Sequence, residues 1–219
     1  MAVSRRATEA SSNGRTADFG SAHEGSNPSA SAITLRASNL ADEVRPRPLP
    51  RELILVGLGP LPARIGAEVA AAARQVLGVG LRAGPSLGRP EYAFNETRKQ
   101  FHAPAVLRRL AALPGAASGL PVLGLLDDDL FLPDDHEYVL GDADRGLGAG
   151  LVGLARLAGE PAEVKRRAQV ESLHVLGHLL GLSLCLDYRC AMFPARDARD
   201  ADRKAVGLCA GCRAALGLP

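Results

Sequence analysis

Two histidines with the spacing of a metal-binding helix are the first residues in this sequence that could do chemistry. His174 and His178 are four residues apart, and residues i and i+4 lie on the same face of an α-helix. Each could therefore direct one ring nitrogen at a common metal ion. Gly181 follows and permits a sharp turn, so that a later residue could return to the same ion. The alternative is that the two histidines are ordinary polar residues of one helix face.

The four cysteines form a second candidate metal site. They follow the pattern C-x4-C-x18-C-x2-C and are Cys185, Cys190, Cys209 and Cys212. A CxxC pair makes a tight knuckle, and two further thiolates complete the tetrahedron that zinc prefers. Disulfides or free buried thiols are the alternative, but the spacing favours a structural zinc ion and a reducing, cytoplasmic location. Flanking basic residues, Lys204 among them, could offset the net negative charge of such a site.

The segment that contains both sets of residues resembles the archaemetzincins, a family of metzincin-like zinc metallopeptidases. Their pattern is HExxHxxGxxHC, four residues, CxM, a spacer and CxxC, and upstream segments such as VLGLLDDDLFLPDDHEYVLGDADRG resemble the family in the same order. The resemblance covers about residues 50 to 215. It implies a compact metzincin-like fold with one catalytic and one structural zinc ion. By position it implies His174 and His178 as catalytic-zinc ligands, and Met192 as the Met-turn methionine that forms a hydrophobic floor beneath the metal.

Two positions depart from the family pattern, and both departures remove chemistry. Val175 stands where the family has its glutamate general base, and Leu184 stands where it has its third histidine. Zinc hydrolysis needs three protein ligands, an open position for water and a base beside that water. Glu171 lies one helical turn before Val175, and we do not expect it to reach the water. Asp187 is the nearest downstream carboxylate, and we interpret it as a solvated loop residue rather than a replacement ligand.

The sequence therefore favours an archaemetzincin-like zinc-binding protein without proteolytic activity. In this hypothesis no residue is catalytic, one structural zinc ion binds, and a second, catalytic ion at the two histidines binds weakly or not at all. The vestigial cleft could bind a peptide or another protein. Two alternatives stay open: an active zinc metallopeptidase with an atypical site, and a zinc-ribbon-like interaction module in which the cleft has no role.

Periodicity predicts an α/β (α+β) domain with a mixed sheet that positions these residues. Apolar runs that end in glycine or aspartate predict strands, and they alternate with helical patterns. We predict a single domain over residues 48–219, with strands at 52–59, around 79–87, at 121–131 and on either side of residue 145, and helices at 62–78, 95–113 and 161–181. Asn95 is predicted to cap the second helix, and Pro104 either to kink it or to break it into two pieces. The longest helix carries the histidines, and Gly181 is placed to end it.

Composition limits the remaining functions. The chain has 219 residues and a net charge of +2, it lacks tryptophan, and only 4% of its residues are aromatic. These values give no support for a base-stacking platform or a nucleic-acid partner, and no apolar run is long enough to span a membrane. Residues 1–47 are rich in small and polar residues, which predicts a disordered tail. One hypothesis is that NGRTADFGSAHEGSNPS within it is a translated transfer-RNA gene and that the true start lies downstream.

Overall fold

The computed structural model describes residues 49–133 and 137–219 of the chain. The predicted tail at residues 1–47 lies outside the described residues. The helices and strands of the described residues alternate along the chain, as the periodicity predicts. They are β1 (Glu52–Leu58), α1 (Ile65–Leu77), β2 (Gly80–Ala83), β3 (Phe94–Asn95), β4 (Gln100–His102), α2 (Ala103–Ala111), α3 (Pro114–Ala117), β5 (Val122–Leu126), β6 (Leu130–Phe131), β7 (Gly141–Asp144), β8 (Ala149–Gly153), α4 (Pro161–Leu179), α5 (Ala198–Arg203) and α6 (Ala210–Ala215).

A five-stranded mixed sheet forms the centre of the domain. Its order is β2-β1-β5-β8-β7, and every neighbouring pair is parallel except β7 with β8. The central strands β5 and β8 are buried along their whole length because helices cover both sides of the sheet. Strand β7 is antiparallel and lies at the edge, where it is joined to β8 by a hairpin. A second, three-stranded sheet has the order β3-β4-β6. The α/β fold class with a mixed sheet is thereby confirmed.

Alternating residues of the central strands divide the core into two layers. Leu53, Leu123 and Leu125 pack with helices α1 and α4, whereas Ile54, Val56 and others pack with α2 on the opposite face. The predicted apolar stripe of α1 is buried, and Gly78 ends that helix at φ 68° with its N–H donated to the carbonyl of Arg74. The histidine helix α4 therefore lies on one face of the sheet, directly over β7 and β8.

The predicted helix at 95–113 is wrong in its first half. Asn95 belongs to strand β3, and its side-chain oxygen accepts hydrogen bonds from the backbone N–H groups of Thr97 and Arg98 in a tight turn. Helix α2 begins only at Ala103, with Pro104 in its first turn. Proline fits there because the first helical N–H groups have no partner within the helix. The proline therefore starts a helix rather than kinking one.

Helix α4 begins and ends with strong local signals. Glu160 and Glu163 form a reciprocal capping box at its start, and Pro161 occupies the first turn. At the other end Gly181 adopts φ 99°, a left-handed conformation that favours glycine. Among the described residues, no helix is long and apolar enough to cross a membrane.

Candidate metal centres and cleft

The ring nitrogens of the two histidines converge, as the helical spacing predicts. The Nε2 atoms of His174 and His178 are 3.1 Å apart. Two ligands of one tetrahedral zinc ion, each about 2.0–2.1 Å from the metal, would lie about 3.3–3.4 Å apart. The pair therefore has close to the separation that a shared metal ion requires.

Backbone carbonyls set the tautomer of both rings. His174 donates from Nδ1 to the carbonyl of Ala191 at 2.9 Å, and His178 donates from Nδ1 to the carbonyl of Leu182 at the same distance. A carbonyl oxygen only accepts, so each neutral ring carries its proton on Nδ1 and presents a lone pair at Nε2. Metal-ligating histidines are oriented by hydrogen bonds of this kind. Burial, assisted by the charge of Lys204, lowers the pKa of His174 to about 4, which leaves this ring neutral at neutral pH.

Among residues 49–133 and 137–219, no third protein ligand lies beside the pair. Leu184 has 59% of its surface exposed, and the carboxylate of Asp187 accepts a hydrogen bond from the backbone N–H of Arg189 at 2.9 Å. Within residues 49–133 and 137–219, the histidines form no metal-type cluster with a third histidine, cysteine or carboxylate. The residues present therefore fit two positions of a zinc ion and do not fit the three-ligand site of a zinc hydrolase.

The position of the general base is filled by an aliphatic side chain packed on the sheet. Val175 is 2% exposed, and a Cβ atom added to Gly150 or Gly141 would lie only 2.4 or 2.8 Å from its methyl groups. These glycines thus let helix α4 approach β7 and β8 closely. Glu171, one turn earlier, forms a 2.7 Å ion pair with Lys204 and is 3% exposed. It is bound elsewhere, in agreement with the expectation that it does not reach the metal.

Met192 packs beneath the histidine helix. It is fully buried, and a Cβ atom at Gly177 would lie 2.2 Å from its sulfur. Its carbonyl accepts the N–H of Cys185 at 3.0 Å. The methionine thus connects the helix turn just before His178 to the first cysteine, and its role as the Met-turn methionine stays a prediction.

The four cysteine sulfurs form one compact cluster. The Sγ atoms of Cys185, Cys190, Cys209 and Cys212 all lie within 4.8 Å of one another, and those of Cys185 and Cys209 are 3.7 Å apart. A tetrahedral site with Zn–S bonds of about 2.3 Å separates its sulfurs by about 3.8 Å. The backbone N–H of Cys212 lowers the pKa of Cys209, whereas burial raises the pKa of Cys190 and Cys212. Four thiolates this close need a cation to neutralise them, so the cluster fits a structural metal ion.

Lys204 is a residue of the site that motif spacing does not reveal. Its side chain has 0% exposure, and its ammonium also donates to the carbonyls of Phe193 at 3.0 Å and Ala191 at 3.2 Å. The Ala191 carbonyl is the acceptor for His174 as well. Lys204 therefore joins helix α4 to the Met-turn instead of offsetting charge at the cysteines. A lone lysine with no motif around it offers no sequence signal for this role.

A cleft opens beside the first histidine and has a volume of about 550 Å³. We call it the histidine cleft. Its lining combines apolar side chains with three charged residues. It is lined by Glu137, Tyr138, Val139, Leu140, Gly141, Glu171, His174, Val175, Ala195 and Arg196. The cleft is large enough for one or two side chains of a ligand.

Together, the three-layer α/β fold, the histidine helix, the buried methionine and the cysteine cluster define a metzincin-like, zinc-peptidase-type domain. Residues 157–217 match the model of peptidase family M54. Known archaemetzincins from Aeropyrum pernix and Methanocaldococcus jannaschii are each 33% identical to this chain; the matches span 58% of the chain and 70% and 72% of those proteins. The chain belongs to the archaemetzincin family.

Solved structures show the same fold. The archaemetzincin of Methanopyrus kandleri superposes with a TM-score of 0.67 at 30% identity, covering 77% of this chain and 97% of that one. The Archaeoglobus fulgidus archaemetzincin, complexed with malonate, gives 0.65 at 23% identity, covering 75% and 99%.

Proposed function

We propose that this protein is a non-proteolytic archaemetzincin, in which one zinc ion held by four cysteines stabilises the fold and the histidine cleft binds a peptide or another protein without cleaving it. The observation that carries the proposal is the position of Val175. Its side chain is buried between helix α4 and the sheet, where the chemistry needs a carboxylate beside a metal-bound water.

The missing base and the missing third ligand affect different parts of the chemistry. The first affects proton transfer and the second affects zinc coordination. General acid–base catalysis contributes roughly 10²–10⁴-fold to a rate, and an isopropyl group cannot accept a proton. Leu184 cannot coordinate zinc, and its exposed side chain brings no other group to the ion. Glu171 and Asp187 are both engaged in other contacts. Neither of these two carboxylates therefore replaces the base or the third ligand.

The structural zinc ion would hold the C-terminal region against helix α4. Cysteines 185 and 190 precede and follow an exposed loop, and Cys209 and Cys212 begin helix α6. Apparent binding free energies of structural zinc sites are about 10–16 kcal/mol. An ion at this cluster would therefore couple these segments, and reduced thiolates of this kind support a cytoplasmic location.

The cleft supports a peptide or protein as the partner. Its volume of about 550 Å³ lies in the range of ligand sites, and Tyr138, Val139 and Leu140 give it an apolar wall. The balanced charge of +2 and the scarcity of aromatic residues argue against a nucleic-acid partner. A membrane partner has no support either, because within the described part of the chain large apolar residues are exposed only singly or in one short loop.

A peptide-library assay tests the proposal on the full-length, zinc-loaded protein. We expect one tightly bound zinc ion per chain by elemental analysis and no cleavage that a chelator abolishes. Chelator-sensitive cleavage that disappears with His174→Ala would refute the proposal and favour the atypical peptidase. A double variant, Val175→Glu with Leu184→His, restores both family residues; cleavage by this variant alone would show that the scaffold is competent and only the chemistry is missing.

A further inference from the structure

Strand β2 lies at one edge of the central sheet and has a free backbone side. In the described part of the chain it pairs with β1 alone, at the end of the order β2-β1-β5-β8-β7. Gly80 donates its N–H to the carbonyl of Arg51, so its backbone groups face β1. Backbone groups alternate in direction along a strand, and those of Leu81 and Ala83 therefore point away from β1. These two residues present donors and acceptors that an added strand can pair with.

An apolar groove lies beside this edge, between β2 and helix α1. We call it the β2 groove. It has a volume of about 410 Å³, and all the residues that line it are uncharged. Leu81 and Ala83 form the wall on the side of the strand, and Gly66, Ala67 and Ala70 form the wall on the side of the helix. Because the helix contributes only small side chains, the groove has room for an aliphatic side chain from outside.

The free edge and the groove belong to the same two residues of β2. A chain that pairs with the edge in an extended conformation directs alternate side chains to the same face of the sheet. Helix α1 covers that face, so one of these side chains would enter the β2 groove. Main-chain hydrogen bonds together with a pocket for a side chain are the two elements by which sheet edges recognise peptides.

Basic residues lie at both ends of the helical wall. Arg64 directly precedes α1 and is exposed. Arg74 follows Ala70 by four residues, so it lies on the same face of the helix, and it is exposed as well. Glu68 is directed to helix α4, where its carboxylate lies 4.0 Å from the ammonium of Lys165. The groove is thus apolar inside and positively charged at its ends, which favours acidic residues on either side of an aliphatic one.

We propose that the β2 groove binds an extended acidic segment of a partner protein, which adds a strand to the sheet and places an aliphatic side chain between β2 and α1. This surface is separate from the histidine cleft. The cleft borders β7 at the opposite edge of the sheet, four strand spacings or about 19 Å away. No residue lines both the groove and the cleft, so the inference stands or falls independently of the proposed function.

Fluorescence anisotropy with a labelled peptide tests the proposal on the full-length, zinc-loaded protein. The probe is the end-blocked peptide Glu-Glu-Thr-Leu-Thr-Glu-Glu, together with versions that have isoleucine, valine or phenylalanine at the centre. We expect saturable binding, weakened at least about tenfold when lysine replaces the four glutamates. Methylation of alternate backbone nitrogens of the probe should abolish binding in one of the two possible patterns and not in the other, because only one set of N–H groups faces β2. No saturable binding by any version up to about 1 mM overturns the proposal.

Variants of the protein locate the binding site. Ala70→Leu fills the groove and should weaken binding at least about tenfold, whereas Ala71→Leu, exposed on the same helix but outside the groove, should leave it unchanged. Ala83→Pro removes an outward N–H without disturbing the pairing with β1, and it should also weaken binding. Equal binding by the two leucine variants overturns the proposal, as does loss of binding in Arg196→Ala at the histidine cleft.

Analytical ultracentrifugation distinguishes a partner protein from a second copy of this chain. We expect the full-length protein to sediment in the same way with and without Ala83→Pro. A dimer that this substitution dissociates would show that the edge pairs with a second copy, which contradicts the proposal.

Discussion

Replacing Lys204 with methionine tests whether a buried ion pair holds the histidine helix to the Met-turn. The ammonium has three donors and three acceptors: Glu171 at 2.7 Å and the carbonyls of Phe193 and Ala191 at 3.0 and 3.2 Å. Methionine has a similar length and no charge. The variant therefore leaves the carboxyl group of Glu171, only 4% exposed, without its cation.

The expected loss in the free energy of unfolding follows mainly from the carboxyl group of Glu171. Burial raises the pKa of Glu171, and Lys204 is the main group that opposes this rise. In the absence of the lysine, protonation of Glu171 costs less free energy than keeping its charge buried. With an ordinary pKa of 4.5, protonation at pH 7 costs at most about 3.4 kcal/mol. The two carbonyls that lose a donor add about 1 kcal/mol each, and burial of methionine offsets part of this. We expect the free energy of unfolding to fall by about 3–5 kcal/mol.

The stability lost in the Lys204→Met variant should change with pH in a definite direction. A group whose pKa is raised by folding contributes its full stability below the unfolded pKa and loses it as the pH rises through the folded pKa. Lys204→Met raises the folded pKa of Glu171 further. The deficit relative to the native protein should therefore grow with increasing pH above the native pKa of Glu171, by up to about 1.4 kcal/mol per pH unit.

Urea unfolding of the zinc-loaded protein, followed from about pH 6 to about pH 8, measures these effects. Lys99→Met is the matched control, because Lys99 and Glu96 form an ion pair with exposures of 71% and 79%; it should change stability by less than about 0.5 kcal/mol. The double variant Lys204→Met/Glu171→Leu should recover most of the loss, since no charge stays buried. If it is as unstable as the single variant, and no pH dependence is seen, the reasoning is wrong.

Two further substitutions test the cysteine cluster and the contact beneath the helix. Cys212→Ser should lower the zinc content, measured by elemental analysis, from one ion to well below one per chain, because a three-thiolate site binds zinc less tightly. Proteolysis of the C-terminal region should increase as well. An undiminished zinc content would contradict the four-cysteine site. Gly177→Ala should cost about 1–3 kcal/mol in urea unfolding, because the new methyl group meets the buried sulfur of Met192. Gly207→Ala, with nothing within 4 Å of its Cβ position, is its control, and equal stability of the two variants would rule out the close contact.

Local signals in the sequence determined much of this protein. The spacing of His174 and His178 predicts converging nitrogens, because helix geometry depends only on neighbouring residues. Gly181 marks the end of the helix for the same reason, and the CxxC pair predicts the cysteine knuckle. The sequence also shows directly that position 175 is a valine, which cannot act as a base. The prediction of a helix that begins with a cap at Asn95 was wrong, because Asn95 lies in strand β3 and the helix begins only at Ala103, where Pro104 fits the first turn.

Only the tertiary structure decided how distant segments meet. Lys204 is far along the chain from Glu171, and no periodicity links them. They pair because helix α5 returns the chain to the Met-turn. There, a buried carboxylate and two backbone carbonyls need a hydrogen-bond donor. The outward direction of Leu184 and the packing of Val175 against glycines of the sheet are also products of the chain path. Motif spacing records which groups could act together, but burial and long-range contacts determine which of them are free to do so.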